Sequence, residues 1–109
     1  MLEACSAIEI AVRSLDLTAY QDNGLIRSSV EREFIIMGEA MAALARIAPA
    51  TCSEITRARR IVDFRNQLTH EYSTIDDALV WAIVVTDVPV LRRECADLMK
   101  GSSSAGEEI

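Results

Sequence analysis

The stretch SSVEREFIIMGEAMAALARIAP, residues 28–49, decides the fold of this chain. Its apolar side chains recur at intervals of three and four residues, which is the repeat of one face of an α-helix. This core-facing stripe consists of Val30, Phe34, Met37, Met41, Leu44 and Ala48. A second face carries the small residues Gly38, Ala42 and Ala45. We expect a helix that begins at the capping-box pair Ser28 and Glu31, ends before Pro49, and lets a neighbouring helix approach its small-residue face closely.

The helical repeat continues on both sides of this stretch. An apolar stripe runs through residues 2–19 and predicts a first helix, which residues 22–24 (Asp-Asn-Gly) end as a turn or helix stop. Downstream, Thr51 and Glu54 repeat the capping-box spacing, so we expect a third helix from there to residues 68–70.

Two further helices are predicted in the C-terminal third. The charges of Asp76 and Asp77 suit the start of a fourth helix, and Asp87 and Pro89 suit the N-cap and first turn of a short fifth one. Short connections favour antiparallel neighbours. The sequence therefore predicts an all-α fold, an up-and-down four-helix bundle with a short appended C-terminal helix. Residues 1–100 form the helical domain, and residues 101–109 form a flexible polar tail.

Composition excludes several classes of function. With 17 acidic and 11 basic residues, the net charge of −6 argues against a general nucleic-acid binder, although it leaves room for a local basic patch. The chain has one histidine, and its three cysteines form no CxxC pair, so we expect neither a metal site nor a cofactor. The cysteines suit small buried side chains of a reducing compartment. No signal peptide or membrane span is evident, which predicts a cytoplasmic protein that does not contact membranes.

The end of the third helix carries the residues that suit chemistry. Arg65, Asn66, His70 and Tyr72 form the pattern Arg-Asn-x3-His-x-Tyr. An imidazole can take a proton from a ribose 2′-hydroxyl or give one to a leaving oxygen. A guanidinium can hold a phosphate by paired hydrogen bonds while negative charge develops. Structural roles are the alternatives: an arginine whose stem packs while its head reaches water, a histidine cap and an aromatic that closes the bundle.

The spacing of Arg65 and His70 makes a geometric prediction. Asn66 and His70 are four residues apart and share a helix face, so the amide is placed to orient the imidazole. Arg65 and His70 are five apart, which turns them about 140° from one another on a regular helix. They converge only if the last turn is broken or if a second copy completes the site in a symmetric dimer.

Arginines lie one to two turns before the motif. Arg57, Arg59 and Arg60 are candidates to bind flanking RNA phosphates. The alternative is a solvated charged face. If RNA binds an acidic protein of this kind, we expect its contacts to be confined to a cleft around Arg65 and His70, extended by these arginines.

Three blocks of the sequence together resemble a known family. These are RSSVEREFIIMGEA at residues 27–40, FRNQLTHEYSTID at residues 64–76 and VWAIVVTDVPVL at residues 80–91. In this order they resemble the HEPN domain of the HepT type, a group of small all-helical toxins of two-gene modules. The resemblance spans about residues 2–99. It implies a homodimer whose motif helices line a shared cleft and a metal-independent endoribonuclease activity.

The resemblance also implies roles for individual residues. Arg65 and His70 match the two positions that carry cleavage, and Asn66 matches the polar residue that follows the arginine. Tyr72 matches the tyrosine that a minimal nucleotidyltransferase antitoxin modifies with AMP, which would fill the cleft and block RNA. ATP and Mg²⁺ would belong to that partner.

Two other functional interpretations remain open at this point. The chain could be a non-catalytic module that binds a nucleotide or docks a nucleotidyltransferase. It could also be a helical dimerisation protein in which the motif is a structural remnant.

Overall fold

The part of the chain that the structure describes folds into six helices. The computed structural model describes the backbone of residues 1–70 and 75–107, and the side chains of residues 1–70 and 75–100. Within these residues there are helices and no strands: α1 (Leu2–Val12), α2 (Leu17–Gln21), α3 (Gly24–Ile47), α4 (Pro49–Cys52), α5 (Ala58–His70) and α6 (Asp77–Glu107). The long helices α1, α3, α5 and α6 form the bundle, which confirms the all-α prediction, and the two short helices lie in its connections.

The core lies between the four long helices, and α3 is central to it. Val30, Phe34, Met37 and Met41 of the predicted stripe are fully buried. Phe34 meets Phe64 of α5 edge to face, with ring centroids 5.0 Å apart. This contact and the packing of α1 against the other side of α3 make α3 the scaffold that positions the motif helix α5.

Two of the three cysteines, Cys5 and Cys95, are buried, as predicted for small apolar side chains, whereas Cys52 is only half-buried. All three are free thiols. The Cys5 Sγ lies 3.5 Å from the Met37 Sδ in the core. Burial raises the pKa of Cys5 to about 12, so this thiol stays protonated and acts as an apolar packing group.

The first two helix boundaries differ from the prediction. The first helix ends at Val12 rather than 19, because the backbone at Ser14 takes a φ of 70° that no α-helix contains. The Asp16 side chain then accepts a hydrogen bond from the Ala19 amide and caps the separate helix α2. Helix α3 begins at Gly24, because Asn23 caps it through the Ile26 amide, so the predicted capping box at Ser28 lies inside the helix.

The later boundaries differ as well. The capping box predicted at Thr51 is absent, because Thr51 lies inside α4 and the motif helix starts only at Ala58. The predicted fourth and fifth helices are one helix, α6, which passes through Pro89. Pro89 cannot donate a backbone hydrogen bond, but the burial of apolar side chains on both sides of it outweighs that loss. The buried residues of this face are Val80, Ile83, Val84, Val88, Leu91 and Cys95.

The long helix α6 bears on two further predictions. Asp87 is not an N-cap; its side chain is fully buried in the middle of α6. The helix begins instead beside Asp76, whose carboxylate accepts a hydrogen bond from the Ala78 amide at 3.0 Å. The helix continues to Glu107, beyond the predicted domain boundary at residue 100. The division into a domain of residues 1–100 and a tail of residues 101–109 remains a prediction.

Candidate functional site

Arg65 lies on the side of α5 that faces α3. A Cβ added at Gly38 would overlap the Cβ and Cγ of Arg65, so the two helices can approach this closely only because residue 38 is a glycine. This confirms that the small-residue face of α3 admits a neighbouring helix. The stem of Arg65 is half-buried, and its Nε is buried without a hydrogen-bond partner among the described residues. The stem is therefore held by packing, while the guanidinium has an unused donor.

His70 is the last residue of α5, and its side chain is exposed. Asn66 is exposed one turn earlier on the same face. No hydrogen bond joins these two side chains among the contacts of the described residues, so the predicted orienting contact is not made in the single chain. Their placement leaves the imidazole open to a substrate or to a second protein surface.

Arg65 and His70 are not brought together within one chain. Helix α5 is continuous from Ala58 to His70, so the two side chains keep the angular separation of about 140° that a regular helix imposes. Arg65 turns toward α3, whereas His70 is exposed. Of the two geometries that the spacing allows, a break in the helix before His70 is thus excluded. Tyr72, the remaining motif residue, lies outside the described residues.

The other side of α5 faces α6 across ion pairs. Arg57 and Arg60 both reach the buried carboxylate of Asp87, with distances of 3.5 Å from Arg57 Nε to Oδ1 and 2.8 Å from Arg60 Nε to Oδ2. Neither carboxylate oxygen has a hydrogen bond among the described residues, so the group is held by close ion pairs that are not aligned as hydrogen bonds. Arg59 is 94% exposed and lies 3.8 Å from Asp63, as a solvated surface pair.

Asp87 is a residue whose role the sequence reasoning missed. It is the one charged side chain fully buried among those that the structure describes. A buried carboxylate needs compensating charge, and Arg60 of α5 together with Arg57, in the turn just before α5, supplies it. The available signal was an aspartate inside the apolar run VWAIVVTDVPVL, where the nearby proline favoured interpretation as a helix cap.

A groove of about 510 Å³ lies between α5 and α6 beside these ion pairs. Its lining combines apolar and polar side chains: Phe64, Leu79 and Ile83 with Thr56, Arg57, Arg59, Arg60, Asp63 and Gln67. The two helix backbones stay apart here, so long side chains span the gap. At its far end, the Thr56 backbone amide and hydroxyl donate to Glu94 of α6, at 3.0 and 2.8 Å. These hydrogen bonds join the turn before α5 to α6 beside the groove.

Among residues 1–70 and 75–100, no cluster of three or more histidine, cysteine, aspartate or glutamate side chains suits a metal ion. In the same part of the chain, no helix combines the length and hydropathy that a membrane crossing requires.

Comparison with known proteins decides the family. The family model described as ribonuclease HepT-like matches residues 1–98. The chain belongs to the HepT-like ribonuclease family. A protein of Methanocaldococcus jannaschii named "Putative RNase" is 30% identical over 94 residues, which cover 86% of this chain and 85% of that relative. No solved structure matches the chain. The HepT-like match includes all of α5, so Arg65, Asn66 and His70 lie within the family domain.

Proposed function

We propose that this chain is the toxin subunit of a toxin–antitoxin module and a metal-independent endoribonuclease. The observation that carries the proposal is the exposed His70 at the end of α5, one turn from Asn66 and on the helix of Arg65, in a HepT-like ribonuclease domain. An exposed imidazole at a helix end can approach a ribose, and the guanidinium of the half-buried Arg65 can bind its phosphate.

The proposed reaction needs only protein side chains and RNA. The imidazole of His70 removes the proton of a 2′-hydroxyl, and the 2′-oxygen attacks the adjacent phosphorus. The bond from phosphorus to the 5′-oxygen breaks, and that oxygen accepts a proton. The products are a 2′,3′-cyclic phosphate and a 5′-hydroxyl. Arg65 stabilises the charge on the non-bridging oxygens, and Asn66 orients the imidazole or a bound nucleotide.

A twofold homodimer completes this site in the proposal. Within one chain Arg65 and His70 point about 140° apart on α5, so a single copy does not offer both to one phosphate. A dimer that places two α5 helices side by side supplies Arg65 from one copy near His70 of the other. It also supplies a second His70, so one imidazole takes the proton of the nucleophile while the other protonates the leaving oxygen.

Regulation by a minimal nucleotidyltransferase antitoxin is the remaining part of the proposal. The Tyr72 phenol oxygen attacks the α-phosphorus of ATP, the bond to the β-phosphate bridge breaks, and pyrophosphate leaves. ATP and Mg²⁺ bind to the antitoxin. The added AMP introduces bulk and negative charge two residues from His70, which repels an RNA phosphate. The family assignment supports this step.

The test of the ribonuclease is cleavage of single-stranded RNA in the presence of EDTA. Wild type is expected to cleave and to leave 2′,3′-cyclic phosphate ends, whereas His70→Ala and Arg65→Ala are expected to be inactive. Arg46→Ala is the matched control, because Arg46 is exposed at the end of α3 on another helix. Cleavage that survives His70→Ala, or that needs a divalent ion, contradicts the mechanism. Binding without cleavage favours the non-catalytic module.

Two further measurements test the dimer and the partner. Light scattering of the purified chain is expected to give the mass of two copies, and a monomer that cleaves RNA would contradict the shared site. Incubation with the cognate nucleotidyltransferase, ATP and Mg²⁺ is expected to add AMP to Tyr72, as seen by mass spectrometry of the peptide. Tyr72→Phe must abolish the modification; AMP on another residue would contradict the assignment.

A further inference from the structure

The ion pairs between α5 and α6 point to a binding site that is separate from the cleavage motif. We propose that Arg57 and Arg60, held by the buried Asp87, form a subsite for an RNA backbone phosphate in the α5/α6 groove. The inference rests on the proposed ribonuclease function for the identity of the ligand. Its geometry is independent of Arg65 and Tyr72.

Charge is the first observation that supports the subsite. Two guanidinium groups face one carboxylate, so the group carries a net positive charge of one in a chain whose net charge is −6. Asp87 is fully buried, whereas the side chains of Arg57 and Arg60 are 39% and 48% exposed. The cationic groups are thus accessible from the groove, and the compensating anion lies behind them. Arg59 and the exposed Asp63 also line the groove and offset one another, so a phosphate there meets a net positive charge from Arg57, Arg60 and Asp87.

Preorganisation is the second observation. Two arginines on adjacent turns of a helix repel one another and lose side-chain entropy when a ligand orders them. Asp87 contacts the Nε of both, so it brings the two guanidinium groups to one place before a ligand arrives. Arg59, in contrast, is almost fully exposed, and among the described residues its ion-pair partner is the neighbouring Asp63. The buried carboxylate therefore distinguishes two anchored arginines from one solvated arginine.

Position is the third observation. The groove of about 510 Å³ has the volume of a small-molecule site and combines the arginines with apolar Leu79 and Ile83 and the amide of Gln67. Arg60 and Gln67, seven residues apart, lie on nearly the same face of α5, and His70, three residues further on, is turned about 60° from Gln67. Ten residues of helix separate Arg60 from His70 by about 15 Å, which a strand of a few nucleotides spans. A strand bound at His70 can thus continue along α5 to the anchored arginines.

The test uses a fully 2′-O-methylated RNA oligonucleotide, which binds but lacks the nucleophile for cleavage. The double variant Arg57→Gln and Arg60→Gln is expected to bind more than tenfold more weakly. The slope of log affinity against log salt should fall by about 0.7, since the variant loses one single-strand phosphate contact and each such contact contributes roughly 0.7. Arg46→Gln, a matched charge change at an exposed site of α3, is expected to keep the wild-type affinity and slope. An unchanged slope in the double variant overturns the subsite.

A second set of variants protects this test from misfolding. Arg57→Met, Arg60→Met and Asp87→Leu together replace the buried ion pairs by apolar side chains, which often preserves stability. The fluorescence of Trp81, which packs beside Tyr20 at 5.4 Å between ring centroids, reports whether each variant is folded. The folded triple variant should show the same loss of RNA affinity and slope. A folded triple variant that binds RNA like wild type overturns the inference.

Asp87→Asn separates preorganisation from simple charge. Removal of one negative charge near the groove would strengthen RNA binding if only net charge mattered. If Asp87 anchors the arginines, binding becomes several-fold weaker despite the added positive charge. Equal or tighter binding therefore contradicts the anchoring role.

Failure of the proposed function and failure of the subsite give different results. If the wild type binds through Arg57 and Arg60 but never cleaves unmodified RNA, only the proposed function is contradicted. If the double variant cleaves RNA with an unchanged KM, only the subsite is contradicted. Inorganic phosphate provides a last test. If it raises the thermal stability of the protein but does not compete with RNA for binding, the groove binds free anions, and the subsite for RNA is contradicted.

Discussion

The two sides of helix α5 are held in opposite ways. Toward α3, the helix is so close that a single Cβ at Gly38 would overlap the stem of Arg65. Toward α6, the backbones stay apart, and the Arg57, Arg60 and Asp87 side chains span the gap. One side is fixed by shape and the other by charge.

This difference separates two tasks within one short helix. Close packing at Gly38 leaves the Arg65 stem little freedom, which suits the proposed role of Arg65 in binding a phosphate in one orientation. The charged side keeps a groove open and accessible along the face that ends at His70. The same helix thus combines a rigid element with an open channel, and substitutions on its two sides should have different consequences.

The largest expected effect is on the charged side. Arg57→Gln with Arg60→Gln leaves the buried Asp87 carboxylate without a cation, which should lower the free energy of unfolding by about 3–5 kcal/mol. Urea unfolding followed by Trp81 fluorescence measures the loss. Arg59→Gln, which removes an exposed charge of the same helix, should cost less than about 0.5 kcal/mol. Equal losses in the two variants would mean that Asp87 does not depend on its arginines.

A smaller loss is expected on the close-packed side. Gly38→Ala should lower the free energy of unfolding by about 1–3 kcal/mol, because its Cβ overlaps the Arg65 stem and α5 must shift. RNA cleavage should fall at least tenfold, mainly in kcat, since Arg65 moves with the helix. Gly24→Ala is the control, because its Cβ would meet only the flexible end of Arg27, at 3.4 Å.

A double-mutant cycle in unfolding free energy tests the cause of that loss. Arg65→Gly removes the atoms that the new methyl group would overlap, so Gly38→Ala should cost little in that background. If the cost of Gly38→Ala is the same with and without the Arg65 side chain, close approach at this point does not position the arginine.

The shape-based side of α5 was largely predictable from the sequence, and the charge-based side was not. The helical repeat identified the buried stripe of α3, and the small residues at Gly38 and Ala42 indicated where a helix would approach. These are local patterns on one helix. The pairing of Asp87 with Arg57 and Arg60 joins residues 27–30 positions apart, and it depends on how α5 and α6 meet in the folded chain.

Helix boundaries show the same limit at shorter range. Asn23 and Ser28 both have side chains that can cap the start of α3. The helix begins at the earlier of the two, because Ile26 then packs against the core. Pro89 is a helix breaker in isolation, yet the apolar face of α6 continues through it. In the candidate site, the sequence correctly predicted that His70 lies at the end of a helix. Arg65 does not lie near His70, because α5 is a regular helix that turns the two side chains away from one another.

The smallest effect is expected where charges meet at a partly exposed helix junction. The Arg27 Nη1 of α3 lies 3.1 Å from the Asp77 Oδ2 of α6, and both charges act on the carboxyl group of Glu31. Burial, then the Asp77 carboxylate, raises the pKa of Glu31 above its ordinary value, while Arg27 partly offsets the shift. The folded state thus prefers protonated Glu31, so ionised Glu31 opposes folding above its raised pKa, and the penalty disappears below the pKa of the unfolded chain.

Glu31→Gln should therefore melt slightly above wild type near about pH 7, and the difference should shrink toward about pH 3, where the wild-type carboxyl is mostly protonated in both states. Thermal unfolding at the two pH values measures it. Glu39→Gln, at an exposed position of the same helix, is the control and should match wild type at both. If Glu31→Gln lowered the free energy of unfolding as much as the loss of Arg57 and Arg60, the fold would depend on the charge of Glu31 as strongly as on the ion pairs of Asp87. A small, pH-dependent gain would instead restrict the strong dependence on charge to the side of α5 that faces α6.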